Sequence, residues 1–186
     1  MRLFRWVTTL VIISSFILAT SACTRNESGR QKAKSAPSGR QEGSQIKWVD
    51  FNDGLIRATK DNKPMFLEFY TDWCVACKEF HRKILQNQKV AEMLADNFIS
   101  VRLNAEDSRN HVKYNGESFS NVDLSRSFGV MAYPSLVFME PGGQPITLIP
   151  GFVPAAQFLA ILDYIHQRCY VKEISIHEFV KKGSCS

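Results

Sequence analysis

Residues 65–70, Met-Phe-Leu-Glu-Phe-Tyr, are apolar at both parities, and this constrains the fold more than any other stretch of the chain. A half-buried strand alternates apolar with polar residues. One that is apolar on both sides must be covered on both faces, as in a largely parallel sheet with a helical layer on each side. The flanking segments supply those layers. Trp48 to Lys60 places Phe51, Leu55 and Ile56 at helical spacing, and Asn62 with Pro64 ends it. Asp72-Trp73-Cys74 opens a second predicted helix to about Ile84, and Gln88 to Asp96 forms a third with Val90, Met93 and Leu94 inward. Phe98 to Leu103 reads as another strand. His111 to Phe119 carries an Asn115-Gly116 turn between short arms, a hairpin signal. A short helix from about Val122 to Phe128 stops at Gly129. Ser135–Met139 and Pro145–Ile149 flank Pro141-Gly142-Gly143 as a second hairpin, and Pro154 to Gln167 closes the pattern as an amphipathic helix. Parallel strands first and an antiparallel pair last predict an α/β fold, a central mixed sheet with helices on both faces.

Charge separates this folded part from what precedes it. The chain of 186 residues carries a net +5, which taken whole suggests a polyanionic partner. Residues 46–186 hold sixteen basic and sixteen acidic side chains, so the excess lies entirely in residues 1–45. A neutral domain has no electrostatic footprint for nucleic acid, and that class of partner is excluded. Residues 1–22 read as an export signal: Arg2 and Arg5, then an uncharged run, then Thr20-Ser21-Ala22. The uncharged run of 17 residues from Trp6 to Ala22 falls short of the roughly 20 that a spanning helix needs. Cys23, directly after Ala22, resembles the lipidated cysteine of a bacterial lipobox, departing from it at Thr20 where Leu is usual. Simple cleavage at Ala22 is the alternative. Residues 24–45 are polar and charged, with Ala33 and Ala36 their main apolar content, so residues 23–45 are expected to be a lipidation site and a disordered tether. These features predict a periplasmic or other extracytoplasmic location with a lipid anchor in the membrane. Residues 46–168 form the expected domain, and 169–186 an extension packed on it.

The chemistry is concentrated at Cys74-Val75-Ala76-Cys77, where a strand becomes a helix. Unpaired amides and the positive end of the helix dipole favour a thiolate there, and the thiolate is the reacting species. Cys74 is thus the expected attacking group, and Cys77, one turn in, the resolving one. A disulfide across two intervening residues closes almost no loop and adds little stability, which argues against a purely structural pair. Cys74, Cys77 and His81 also form a C-x2-C-x3-H pattern, but no second ligand pair follows, and no metal is expected. Glu68 is a carboxylate inside an apolar strand, so desolvation is expected to raise its pKa. Cys169 and Cys185 lie beyond the last helix. They are candidates for a structural disulfide, with a second redox pair the alternative.

Trp73-Cys74-Val75-Ala76-Cys77-Lys78 after an apolar strand, with Tyr133-Pro134 before another, resembles the thioredoxin superfamily. Phe69 through Phe80 is especially similar to the C-terminal thioredoxin-like domain of DsbD. The later part, with its Tyr-Asn-Gly hairpin, Phe128-Gly129-Val130 and Pro150-Gly151-Phe152, looks like the exported SoxW-type proteins. The resemblance implies a thioredoxin fold and a cis peptide at Pro134 facing the cysteines. It also implies substrate contact by Trp73, Tyr133 and Pro134, and a proton-transfer role for Glu68, where the family more often has Asp. Val-Ala between the cysteines, with no His there, argues for a reductase or a balanced exchanger. The expected function is an exported thiol–disulfide oxidoreductase, most simply a disulfide reductase, acting as a monomer on protein thiols and disulfides and recharged by an upstream membrane or thiol donor. It needs no cofactor beyond the Cys74–Cys77 pair. The competing classes are a non-catalytic peptide-binding module and a metal-delivery protein.

Overall fold

The computed structural model describes residues 45–185. The export signal of residues 1–22, Cys23 and the tether up to residue 44 lie outside the described residues. A five-stranded mixed sheet has the order β1-β3-β2-β6-β7. At its centre β2 (Met65–Tyr70) runs parallel to β3 (Ile99–Asn104) and antiparallel to β6 (Ser135–Met139), while β7 (Pro145–Pro150) pairs antiparallel with β6. The edge strand β1 (Trp48–Val49) corrects the sequence expectation, which began a helix at Trp48. Trp48 and Val49 instead pair with Ser100 and Val101 of β3, and α1 (Phe51–Asp61) starts only after the extended residue Asp50. Two ladder positions on an otherwise unpaired edge override the helical pattern there.

The double-sided apolarity of β2 is resolved as layers. Phe66, Leu136 and Phe138 project to one face and pack with Phe80, Val90, Leu94, Phe158 and Leu162. These come from α2 (Val75–Phe80), α3 (Gln88–Asn97) and α5 (Ala155–His166). Met65, Leu67, Phe69 and Val137 project to the other face against Phe51 and Ala58 of α1 and Leu124 of α4 (Asn121–Ser127). The helix expected to run unbroken to Ile84 changes form at His81. Residues His81–Leu85 are a π-helical stretch, with the Gln86 N–H donating to the His81 carbonyl at 3.1 Å. The wider turn lets the adjacent residues Ile84 and Leu85 both enter the core. A separate two-stranded hairpin, β4 (His111–Tyr114) and β5 (Glu117–Ser120), turns at Asn115 and Gly116, both with positive φ.

Beyond α5 a 3-10 turn (Cys169–Lys172) leads into α6 (Ile176–Lys182), a helix not expected from the sequence. Phe179 of α6 is buried against the Tyr164 ring of α5, 5.7 Å between centroids, and a disulfide joins Cys169 to Cys185, with Cα atoms 5.3 Å apart. A cross-link over 16 residues restricts the unfolded chain enough to stabilise the folded one by about 3 kcal/mol. Among the described residues no helix is long and apolar enough to cross a membrane.

Gly54 shows how closely α1 sits on the sheet. A Cβ added there would lie 2.7 Å from Val101 Cγ2 and 3.1 Å from Met65 Sδ. Alanine gains helix propensity of about 1 kcal/mol over glycine, but overpacking against two buried side chains costs about 1–3 kcal/mol. Gly54→Ala is therefore expected to lower the urea unfolding midpoint, whereas an unchanged or raised midpoint would show that α1 is free to lift from the sheet.

Candidate active site

Pairing of β2 at both edges fixes where the chain must leave the sheet, and the turn at its end presents Cys74. The Cys74 N–H donates to the Thr71 carbonyl at 3.2 Å, and Cys74 then acts as the N-cap of α2 with extended backbone. Its Sγ accepts a hydrogen bond from the Cys77 N–H at 3.0 Å, so sulfur takes the place that a serine or aspartate oxygen usually takes in a cap. A donor aimed at sulfur, at the positive end of a helix, stabilises the thiolate once the pair is reduced. Cys74 and Cys77 form a disulfide with Cα atoms 5.3 Å apart. Both residues are buried, 3% and 2% exposed, so a partner can reach sulfur only through a narrow opening.

Four exposed apolar side chains belong to the segments about this opening: Trp73, Val75, Met131 and Phe152, of which Met131 is 96% exposed. The Tyr133–Pro134 peptide bond is cis. Trp73 and Tyr133 meet edge to face with centroids 6.0 Å apart, which brings the residue before Cys74 against the residue before Pro134. The indole N–H of Trp73 is shared by both carboxylate oxygens of Glu106 at 2.9 Å. Glu106 lies in the polar connection after β3, and nothing in the local sequence marks it as the partner of Trp73.

Glu68 is fully buried on β2, with its neighbours Phe66 and Tyr70 at the same parity. That parity faces the α2 and α3 layer, the layer that carries Cys77. Arg102, its register partner on β3, donates from Nε to Glu68 Oε2 at 2.7 Å, while Oε1 has no partner. The guanidinium also lies 4.3 Å from the Tyr70 ring centroid and 5.3 Å from that of Trp48. Burial pushes the Glu68 pKa up and the arginine pulls it down, with burial the stronger effect. Sequence reading found the acid and missed its counter-ion, although Arg102 interrupts an apolar strand as Glu68 does. His81 is half-buried one turn after Cys77, its pKa lowered by desolvation and then by the charge of Arg102.

This architecture is a thioredoxin fold with a cysteine pair at the start of α2. A family model described as a thioredoxin-like domain matches residues 51–166, and the chain belongs to that family. Among curated proteins, it is 35% identical over 122 residues to the thiol:disulfide interchange protein DsbD of Escherichia coli K12, covering 64% of this chain and 20% of that protein. It is 34% identical over 110 residues to DsbD of Yersinia pestis, covering 58% and 17%. The chain thus spans about a fifth of the length of these relatives. A thioredoxin-fold protein from Helicobacter pylori is similar in structure, with TM-score 0.56 and 25% identity over 66% of this chain and 80% of that one. A DsbH oxidoreductase shares the fold, with TM-score 0.53 and 20% identity over 75% and 95%. Fold, family and cysteine pair together equip the chain chemically for thiol–disulfide exchange at Cys74 and Cys77.

The raised pKa of Glu68 has a signed consequence for stability. A carboxyl whose folded pKa exceeds its unfolded value favours the folded state fully below about pH 4.5, and that contribution is lost as pH rises through the folded pKa. Wild-type stability measured relative to Glu68→Gln should therefore fall as pH rises from about 4.5 and then level off. Urea titrations at a series of pH values check this. A difference that grows with pH would mean that Arg102 outweighs burial.

Proposed function

We propose that the protein is an exported, membrane-tethered disulfide reductase for polypeptide clients. The observation that carries this reading is Cys74 at the N-cap of α2, its sulfur receiving the Cys77 N–H. In the reduced enzyme the Cys74 thiolate attacks one sulfur of a client disulfide; the client S–S bond breaks and its other sulfur leaves as a thiolate that takes a proton. Cys77 then loses its proton and attacks Cys74 Sγ, breaking the mixed disulfide and releasing the second client thiol. The client gains two electrons and two protons, and the enzyme is left with the Cys74–Cys77 disulfide. An upstream thiol or membrane donor returns the two electrons.

Glu68 takes the role of proton acceptor for Cys77. It is desolvated enough to hold a proton, its Oε1 is unpartnered, and it lies on the sheet face covered by the helix of Cys77. The cis Pro134 and the Trp73–Tyr133 pair form the wall against which the client strand lies. Export and tethering rest on residues 1–45, with Cys23 as the lipidated residue. The reductive direction rests on the Val75-Ala76 pair, which adds no cationic side chain to hold the thiolate as a strong oxidant does.

With insulin as substrate, Cys74→Ser should abolish turnover, and Cys77→Ser should accumulate a mixed disulfide with the substrate on non-reducing gels. Turnover by Cys74→Ser at the wild-type rate would overturn the assignment. Equilibration with glutathione tests direction: a potential below about −230 mV supports a reductase, and one near about −120 mV an oxidase.

A further inference from the structure

The sulfur atoms of this protein divide by what surrounds them. Among the described residues Cys74 with Cys77, and Cys169 with Cys185, are joined as disulfides, and all four are at most 7% exposed. Met65 and Met139 are fully buried, and the half-buried Met93 has its Sδ 3.2 Å from the side-chain amide nitrogen of Asn97. Met131 alone among the described residues presents a sulfur that is bonded to no other sulfur and stands open to solvent, the residue being 96% exposed.

That exposure is built by the fold. The Val130 N–H donates to the Ser125 carbonyl at 3.0 Å, and the Ser135 hydroxyl donates to the Ala132 carbonyl at 2.7 Å. The backbone is thus tied down immediately before and after Met131. Two residues further on, Tyr133 meets Trp73 edge to face and opens the cis bond to Pro134, so Met131 stands on the loop that lies against the residue before Cys74. The large rings of the same face are each supported by a neighbour: Trp73 by Glu106 and Tyr133, and Phe152 by the Phe80 ring at 6.1 Å. Met131 keeps a free, unbranched thioether there, a side chain that adapts its shape to different apolar surfaces and is easily changed by oxidation.

We propose that Met131 is an oxidation site that governs client binding: a hypohalous acid converts its thioether to the sulfoxide, and the face loses affinity for polypeptides while the cysteine chemistry stays intact. The sulfur takes the oxygen of hypochlorous acid, the O–Cl bond breaks, and chloride and a proton leave. Methionine sulfur loses two electrons and chlorine gains them. Exposure decides which methionine reacts, and in the disulfide form neither Cys74 nor Cys77 carries a thiolate to compete. The sulfoxide puts a polar oxygen where the apolar side chains of a client pack, and burying it without a donor is unfavourable. The effect on clients rests on the reductase reading; the oxidation site does not.

The test separates the two. Full-length protein in its disulfide form is treated with hypochlorous acid at rising molar ratios, and its digests are mapped by mass. The gain of one oxygen should appear first at Met131, ahead of Met93, Met65, Met139 and the exposed indole of Trp73. Earlier oxidation of any of these would overturn the site. With insulin as client, treatment to one oxygen per chain should raise KM about tenfold with kcat unchanged, while reduction of bis(2-hydroxyethyl) disulfide, which makes no polypeptide contacts, keeps its rate. The two methionine sulfoxide reductases, one for each epimer, should together restore the insulin KM. Met131→Leu has no thioether at this position, and its insulin KM, whatever its starting value, should be the same before and after treatment. An unchanged KM in singly oxidised wild type, or a rise in treated Met131→Leu, would overturn the control of binding. A parallel loss of small-disulfide turnover would trace the effect to the cysteines and overturn it equally. Failure of the untreated protein to reduce insulin would overturn the reductase reading, and the mass map would still decide the oxidation site.

Discussion

The constraint on which the rest of the structure depends is the pairing of β2 at both of its edges. With β3 on one side and β6 on the other, the strand cannot shift by one residue without moving Phe66 and Glu68 to the face now held by Leu67 and Phe69. Register therefore fixes three things together: the layer that Glu68 faces, the cross-strand position of Arg102, and the point at which the chain turns to place Cys74 at a helix start.

Within that frame the protein keeps one carboxylate where an apolar side chain would pack more cheaply. Burial of Glu68 disfavours its charge, and Arg102 compensates in part through a direct hydrogen bond while stacking near Tyr70 and Trp48. A buried pair of this kind adds little net stability, because desolvation offsets attraction. Its retention makes sense if the carboxyl must change protonation state during the reaction. The same arrangement puts the groups of the thiol chemistry on the α2 side of the sheet.

Much of this was legible in the sequence because it is written in local signals. The two-sided apolar run gave β2, the alternation about Asn115-Gly116 gave a hairpin, and the cysteine spacing at a strand end gave the redox pair. What escaped detection depends on contacts distant in sequence. Trp48 and Val49 read as helix because only the edge of β3 makes them a strand. Glu106 is unremarkable until folding sets it against Trp73, and Arg102, although it interrupts an apolar strand, meets its partner Glu68 only in the fold, each pair being more than thirty residues apart. The π-helical stretch at His81–Leu85 arises from the need to bury both Ile84 and Leu85, which periodicity alone cannot express. The helix α6 is short; Ser175 caps it by accepting from the Glu178 N–H, Gly183 ends it in the left-handed region, and Tyr164 and the Cys169–Cys185 link hold it in place.

The central claim is that the helix start activates Cys74 and leaves Cys77 as a shielded, less acidic thiol. Its most direct test is the pH dependence of iodoacetamide alkylation of the reduced protein, with each modified cysteine located by peptide mass mapping. The account predicts that Cys74 reacts first, with an apparent pKa well below the ordinary thiol value of about 8.5, and that Cys77 follows only at higher pH. Alkylation of Cys77 before Cys74, or of both with the ordinary thiol pKa, would contradict it.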